Sequence, residues 1–238
     1  MSEVVTLERR EWVAERTMAI RLARPAGFEF KPGQTIDLAP RDAAGAAGLA
    51  GSHTFSISSA PWQAGLTIAT RMRDTPYKRA LAALPVGSAL DLAGPFGSLT
   101  LHGDRKRPAL LLAGGIGITP FMSMLRQADH DERDTPLLLL YSNRSRKDAA
   151  FLDELETLAR RRENFRLFPT MTAPAGDDGW SGRKGRIDAA LIESALPGIA
   201  PPIAYVAGTP AFVASMRQVL NDAGVGDDDI RSEDFAGY

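Results

Sequence analysis

The 238-residue chain contains no cysteine. It therefore has no disulfide framework and no cysteine-held iron–sulfur cluster of its own. Histidine is scarce at three residues, and His102 and His130 have no His, Cys or Asp/Glu partners at ligand spacing, so no metal is expected. Neither sign of charge dominates: 28 Lys+Arg against 29 Asp+Glu leave a net charge of −1, which gives no electrostatic case for nucleic acid. Long apolar runs are missing too. The longest, Pro108 to Leu125, is interrupted by Gly114, Gly115, Gly117 and Pro120, whereas a bilayer-crossing helix needs about 20 apolar residues. No membrane insertion is expected. The charged N-terminus lacks the apolar core of a secretory signal, so a cytoplasmic location is expected. No G-x-S-x-G elbow or other nucleophile motif occurs.

What is present is a core-forming composition, 44% apolar, set out in two rhythms. Up to about residue 103, short period-2 segments such as TMAIRL (17–22) and LTIATRM (66–72) alternate with Pro/Gly turns. That pattern predicts an antiparallel β-barrel interrupted by one helix over Pro76–Leu84. A polar run, HGDRKRP (102–108), then precedes alternating strands and helices. ALLLAG, LLLLYS and PIAYVAG are each followed by an amphipathic segment, the signature of a parallel sheet covered on both faces. The chain therefore divides into residues 1–103, an antiparallel barrel, and 104–238, a Rossmann-like α/β domain. Residues 43–51 and 174–182 read as loops.

Three segments bear chemistry. In LLLAGGIGITPFMSML (110–125) a buried strand runs into glycines and then a helix start at Thr119-Pro120. Such a turn lets backbone approach a diphosphate and presents free N–H groups with a favourable dipole. The spacing is not a full G-x-G-x-x-G, because Pro120 stands where the third glycine belongs. VAGTPAFVASM (206–216) repeats the arrangement, and in an open parallel sheet both strand ends gather on one nucleotide-binding edge. SHTFSISSAP (52–61) alternates hydroxyls with apolar residues, which alone describes an edge strand.

HTFS, ATRMRDTPYKRALAALPVG, GPFG, AGGIGITP, LLLYSNR, VAGTP and EDFAGY occur here in one order. That succession resembles the ferredoxin–NADP reductase-like flavoenzyme superfamily, in which an FAD-binding barrel precedes a nicotinamide-nucleotide domain. The resemblance runs from residue 30 to Tyr238. It implies two cofactors, FAD and NAD(P)H.

The resemblance also implies roles. His53-Thr54-Phe55-Ser56 matches the Arg-x-Tyr-Ser flavin motif: Ser56 lies near flavin N5, Phe55 beside the ring, and His53 replaces a diphosphate-clamping arginine. A neutral imidazole offers fewer donors than a guanidinium. Thr70-Arg71-Met72 with Thr75, Tyr77 and Lys78 matches the second flavin motif, Lys78 standing at a helix start where an anion would make sense of it. Gly114, Gly115, Gly117, Thr119 and Pro120 match the nucleotide's diphosphate turn. Gly208-Thr209-Pro210 matches a Cys-Gly-x-Pro motif in which Ala207 replaces the cysteine. Ser142, Arg144, Arg146 and Lys147 are positioned in the chain to hold a 2′-phosphate, but the usual Ser-Arg pair is absent near Met171-Thr172, so the choice of NADH or NADPH stays open. Glu233, Phe235 and Tyr238 match a terminal acid-x-aromatic pattern over the flavin. Glu233 and Ser56 are the catalytic candidates.

The expected function is an FAD-dependent NAD(P)H reductase serving a separate acceptor, a redox protein or small molecule. Two alternatives stand: a flavin reductase that treats flavin as a diffusing substrate, and a non-catalytic nucleotide-binding subunit.

Overall fold

A computed structural model describes residues 2–41, 51–174, 179–196 and 200–235. Two compact units emerge from its contacts: Met1–Thr100 with Thr119–Gln127, and Leu101–Ile118 with Ala128–Tyr238.

The first unit is a six-stranded antiparallel sheet. Its strands are β1 (Ser2–Ala14), β2 (Thr17–Ala23), β3 (Thr35–Pro40), β4 (His53–Ser56), β5 (Gly65–Arg71) and β6 (Ala89–Phe96), with helix α1 (Pro76–Ala83) between the last two. They pair in the order β4-β3-β6-β1-β2-β5. A bridge between Ile57 and Ile68, with the Ser58 N–H on the Thr67 carbonyl at 2.7 Å, joins the two edge strands and closes the barrel. Closure removes the unpaired edges that an open sheet leaves. Alternate residues point inward: Val5, Leu7, Ile20, Leu22, Ile36 and Leu38 are buried among the barrel's core side chains. Gly33 has φ +98, and a Cβ there would stand 2.0 Å from the Leu99 carbonyl oxygen, so the turn before β3 admits glycine alone.

The second unit is a six-stranded sheet. After β7 (Ala109–Gly114) and a tight turn (Gly115–Gly117) come α2 (Ile118–His130), β8 (Leu137–Asn143), α3 (Leu152–Arg161) and β9 (Phe165–Met171). There follow β10 (Arg183–Lys184), α4 (Ala189–Ala195), β11 (Ile203–Gly208), α5 (Pro210–Asp222) and β12 (Ile230–Asp234). Its order is β10-β9-β8-β7-β11-β12, all parallel. Leu110, Leu111 and Leu112 are each fully buried, which explains a run without alternation: both faces of β7 are covered. Leu110, Leu112, Leu138 and Leu140 pack with α4 and α5 on one face. The C-terminal segment is an edge strand paired with β11.

Part of α2, Thr119–Gln127, belongs to the barrel unit. There Ser123 Oγ donates to the Ser59 carbonyl at 2.6 Å, and Arg126 donates to the Ser58 carbonyl at 2.8 Å.

Just past the barrel, a buried polar knot fixes the start of the second unit. The Tyr205 hydroxyl accepts from the His102 N–H at 2.8 Å and from Arg231 at 3.2 Å. Its own proton is then free for His102 Nδ1 at 2.9 Å, which leaves Nε2–H to donate to the Arg107 carbonyl at 2.8 Å. Burial lowers the His102 pKa, with the Arg133, Arg231 and Arg107 charges lowering it further against the Arg107 carbonyl bond. A depressed histidine pKa contributes stability that is present above the unfolded value of about 6.5 and lost as pH falls toward the folded one. Tyr205→Phe should therefore destabilise this unit by about 1–3 kcal/mol, since buried donors lose their acceptor. Urea unfolding at pH 7.5 and 5.5 measures both effects, and wild-type stability should fall between these two pH values.

Candidate functional site

In the barrel unit, His53 and Phe55 share one face of β4. The His53 ring lies tilted against Tyr77 with centroids 3.9 Å apart, and Phe55 lies 5.9 Å from the same ring. Tyr77 is held by its hydroxyl, which donates to the Leu38 carbonyl at 2.8 Å. The helix bearing Tyr77 starts where it does because Thr75 is extended and its side chain accepts from the Lys78 N–H, with Pro76 at the first helical position. Thr75 thus serves the helix first. Beyond it, Lys78 is only 5% exposed. Its Nζ bonds the Thr70 hydroxyl and stands 4.7 Å above the Phe55 ring.

The electrostatics of this cluster have one sign. Burial, and then the Arg73 charge, push the Lys78 ammonium down to about 8. Burial, and then Lys78, lower the His53 pKa, so that its imidazole is neutral at pH 7. A buried cation bonded to a neutral hydroxyl, beside further positive charge, is an environment that a bound anion would relieve. The residues present fit the diphosphate of a flavin nucleotide on that ground. Nearby in sequence, Ser56 is 5% exposed and its hydroxyl has no hydrogen-bond partner. Such an orphan calls for a ligand group or water.

Other expected flavin contacts are placed differently. Phe55 is 2% exposed and packed in the barrel core. In place of an open face for a flavin ring, it gives support to Tyr77 and Lys78, because those side chains cover it. Thr54 is exposed and donates to Asp37 at 2.5 Å. Met72 packs against the core, and Arg71 donates to the Glu15 carbonyl at 3.1 Å.

In the second unit, β7 and β11 end side by side, Ala113 opposite Ala207. A Cβ on Gly114 or on Gly208 would stand 2.7 Å from the Phe212 ring, and one on Gly117 would stand 2.0 Å from the Ala207 carbonyl oxygen. The glycines expected to admit a diphosphate are thus required by packing: the Phe212 ring lies against two of them and β11 backbone against the third. Gly115 has φ +55, in the left-handed region. The turn packs against the ends of β7, β8 and β11 and leads into α2, whose first-turn residues Thr119 and Pro120 are buried. Thr209 caps α5 by accepting from the Phe212 N–H at 3.2 Å, with Pro210 next.

Along the same edge, the Ser142 and Arg144 side chains have no partner among the described residues. Arg146, by contrast, is tied to Glu156 at 3.0 Å and Asp153 at 2.8 Å, and Arg183 to Asp188 at 2.9 Å. β8 ends in Asn143, whose buried carboxamide has neither polar atom paired. Sequence reasoning passed over it and Phe212. Their only signals were a polar residue closing an apolar strand and an aromatic one turn into a helix.

β12 places Glu233 opposite Ala207. Its Oε2 is buried without a partner, and burial, and then Asp234, push its pKa up to about 7. The Phe235 N–H donates to the Gly208 carbonyl at 2.9 Å. Tyr238 lies outside the described residues. Among the described residues, no group of three or more His, Asp or Glu is arranged to hold a metal ion, and no helix is long and apolar enough to cross a membrane.

Comparison with known proteins bears on this geometry. The family described as "Oxidoreductase NAD-binding domain" matches residues 111–218. The glycine betaine monooxygenase reductase subunit of Chromohalobacter salexigens is 31% identical over 214 residues, 88% of this chain and 57% of the relative. Ferredoxin–NADP reductase B of Sorangium cellulosum is 29% identical, over 86% of this chain and 84% of the relative. The crystal structure of a ferredoxin NADP+ reductase from Neisseria gonorrhoeae with bound FAD and NADP superposes with a TM-score of 0.81 at 23% identity, covering 98% of each chain. In sequence and in fold the chain is similar to the ferredoxin–NADP reductase-like superfamily. The barrel and the parallel sheet each carry buried polar atoms without a hydrogen-bond partner among the described residues, Ser56 in the first and Asn143 and Glu233 in the second. The chain spans 57% of the glycine betaine reductase subunit and 64% of a Ralstonia dioxygenase-system reductase component.

An anion test follows for the barrel unit. Pyrophosphate, at about a hundred times its Kd, should stabilise the flavin-free protein at pH 7 by about 2.7 kcal/mol. The gain should fade as pH rises past about 8, where Lys78 loses its proton, and should vanish in Lys78→Met. Thermal melts with and without pyrophosphate across pH 6–10 measure it.

Proposed function

We propose that the chain is an FAD-dependent NAD(P)H reductase that passes electrons to a separate acceptor, a redox protein or small molecule, in the cytoplasm, where reduced nicotinamide nucleotides are supplied. The observation that carries this reading is the buried Lys78 cation on the Thr70 hydroxyl of a barrel, with His53 beside it, together with a glycine turn closing a parallel strand in the second unit. Neighbours by sequence include a methane monooxygenase component and the oxygenase reductases above, which supports an acceptor outside the chain.

When bound, FAD would take two electrons from the reduced nicotinamide and release them singly. The protein supplies binding, orientation and proton handling. Lys78, Thr70 and His53 would hold the flavin's diphosphate, with Arg71 and Arg73 adding positive charge. Ser56 would fill its empty hydrogen bonds on the polar edge of the flavin. The turn Gly115–Gly117 and the α2 N-terminus would hold the nucleotide's diphosphate, while the free Arg144 and Ser142 side chains would meet its outer phosphate or sugar. Glu233, with a pKa near 7, would carry a proton at neutral pH.

A second reading, flavin as a diffusing substrate, draws on His53: a neutral, exposed imidazole stands where the superfamily places a fixed cation. Absorbance before and after gel filtration separates the two.

Purified protein should show bands near about 380 and 450 nm that bleach on anaerobic addition of NADH or NADPH. A protein that stays colourless and inert with added FAD would overturn the reading. Ser56→Ala should slow reduction about 10-fold, the loss of one hydrogen bond, with flavin content unchanged in stopped-flow samples. Glu233→Gln should remove a decline in turnover above pH 7, because the neutral amide has no proton to lose.

A further inference from the structure

The strand that carries Ser56 changes partners directly after it. Ser56 stands opposite Thr35 of β3, and the Ile57 N–H still donates to the Gln34 carbonyl at 2.9 Å. One residue later the chain crosses to β5. There the Ser58 N–H meets the Thr67 carbonyl at 2.7 Å, and the Ser59 N–H reaches the same carbonyl at 3.4 Å. Two successive residues set against one form a β-bulge. Side chains lock it: Ser58 Oγ donates to the Thr67 carbonyl at 3.0 Å, and the Thr67 N–H donates to Ser59 Oγ at 2.9 Å.

A bulge takes residues out of the ladder, so the Ser58 and Ser59 carbonyls need donors from elsewhere. Both residues are buried, and α2 supplies those donors. The Ser123 hydroxyl donates to the Ser59 carbonyl at 2.6 Å, and the Arg126 guanidinium to the Ser58 carbonyl at 2.8 Å. Three apart on a helix, these two side chains lie on one face. The Arg126 carbonyl in turn accepts from the Trp62 indole N–H at 3.4 Å. Every residue of this clasp belongs to the barrel unit.

The consequence falls on Ser56, whose buried hydroxyl has no partner and stands two residues before the bulge. Pairing with β3 ends at Ser56, so its aim is set from the far side by the bulge. Side chains alternate across a strand, and a slip of one residue would turn the hydroxyl to the opposite face. An apolar residue at position 123 or 126 would leave a buried carbonyl unmet and favour that slip. We propose that Ser123 and Arg126 are positioning residues for flavin reduction, holding the bulge so that the Ser56 hydroxyl keeps its aim. The assignment rests on the reductase reading and deepens it: both residues act through the backbone of Ser58 and Ser59.

The test uses the full flavin-loaded chain, with limiting rates of flavin reduction and nucleotide affinities from stopped-flow mixing with NADH or NADPH. Ser123→Ala and Arg126→Met should each slow the limiting rate about 5-fold, part of the effect of losing the Ser56 hydroxyl itself. Nucleotide affinity and flavin content should be unchanged. Arg126→Lys, which keeps a donor for the Ser58 carbonyl, should restore most of the rate. In a Ser56→Ala background neither substitution should slow reduction further, because the hydroxyl they aim is gone. The oxidised flavin band of Arg126→Met should shift in the direction that Ser56→Ala shifts it. If only one of the two variants folds, that one carries both readouts. An unchanged rate, or a loss of rate equally large with and without the Ser56 hydroxyl, would overturn the assignment. Loss of folding or of flavin in both variants would overturn it too, by making the clasp a structural brace alone. A wild type whose flavin neither nucleotide bleaches would instead remove the reductase reading beneath it.

Discussion

Two parallel strands, β7 and β11, end beside each other with no side chain on either terminal residue, and the second unit is organised by that constraint. The Phe212 ring lies against both Gly114 and Gly208, and the Gly117 backbone lies against the Ala207 carbonyl. With side chains removed there, the turn after β7 can fold down over the sheet edge. It then packs against three strand ends and launches α2 from a set position. The same closeness lets β12 continue the sheet beyond β11 and bring Glu233 to the edge. Larger residues at these positions would lift the turn away, and the strand ends would no longer form one surface.

The barrel unit follows a different logic, electrostatic where the sheet's is steric. An ammonium group at a helix start is unfavourable for the helix dipole and unfavourable in a buried place. Lys78 meets both conditions, and burial and then Arg73 lower its pKa. Stability alone would favour an apolar residue. The barrel tolerates the cation because Thr70, Phe55 and Tyr77 surround it with a hydroxyl and two ring faces. Lys78 is thereby fixed in place within the barrel unit.

The two rhythms of the sequence translate directly into the two sheets, since period-2 alternation and doubly buried runs follow from which faces are covered. TMAIRL and LTIATRM became β2 and β5; ALLLAG, LLLLYS and PIAYVAG became β7, β8 and β11. His53 lies against Tyr77, and Lys78 bonds Thr70. What sequence could not disclose is the cause of a residue's identity. Gly114 and Gly117 read as room for a ligand, and their missing side chains also make room for Phe212 and Ala207, which lie about ninety residues away. Phe55 read as a ring beside the flavin, whereas three-dimensional packing buries it. Asn143 lay inside LLLYSNR without being singled out, because the unpaired state of its carboxamide is visible only once its neighbours are placed.

The barrel unit is discontinuous in the chain, and this bears on the order in which the protein assembles during synthesis. Residues 1–100 emerge from the ribosome first, yet the Ser58 and Ser59 carbonyls wait for Arg126 and Ser123. Between them come His102, the arginine-rich linker and the whole of β7. The first strand of the parallel sheet must therefore be made, and left exposed, before the barrel has its full set of contacts. β7 is apolar on both faces and gains its first sheet neighbour, β8, only after α2 has been translated. A nascent chain of this protein passes through a stage in which one unit is incomplete and the other's most hydrophobic strand is uncovered.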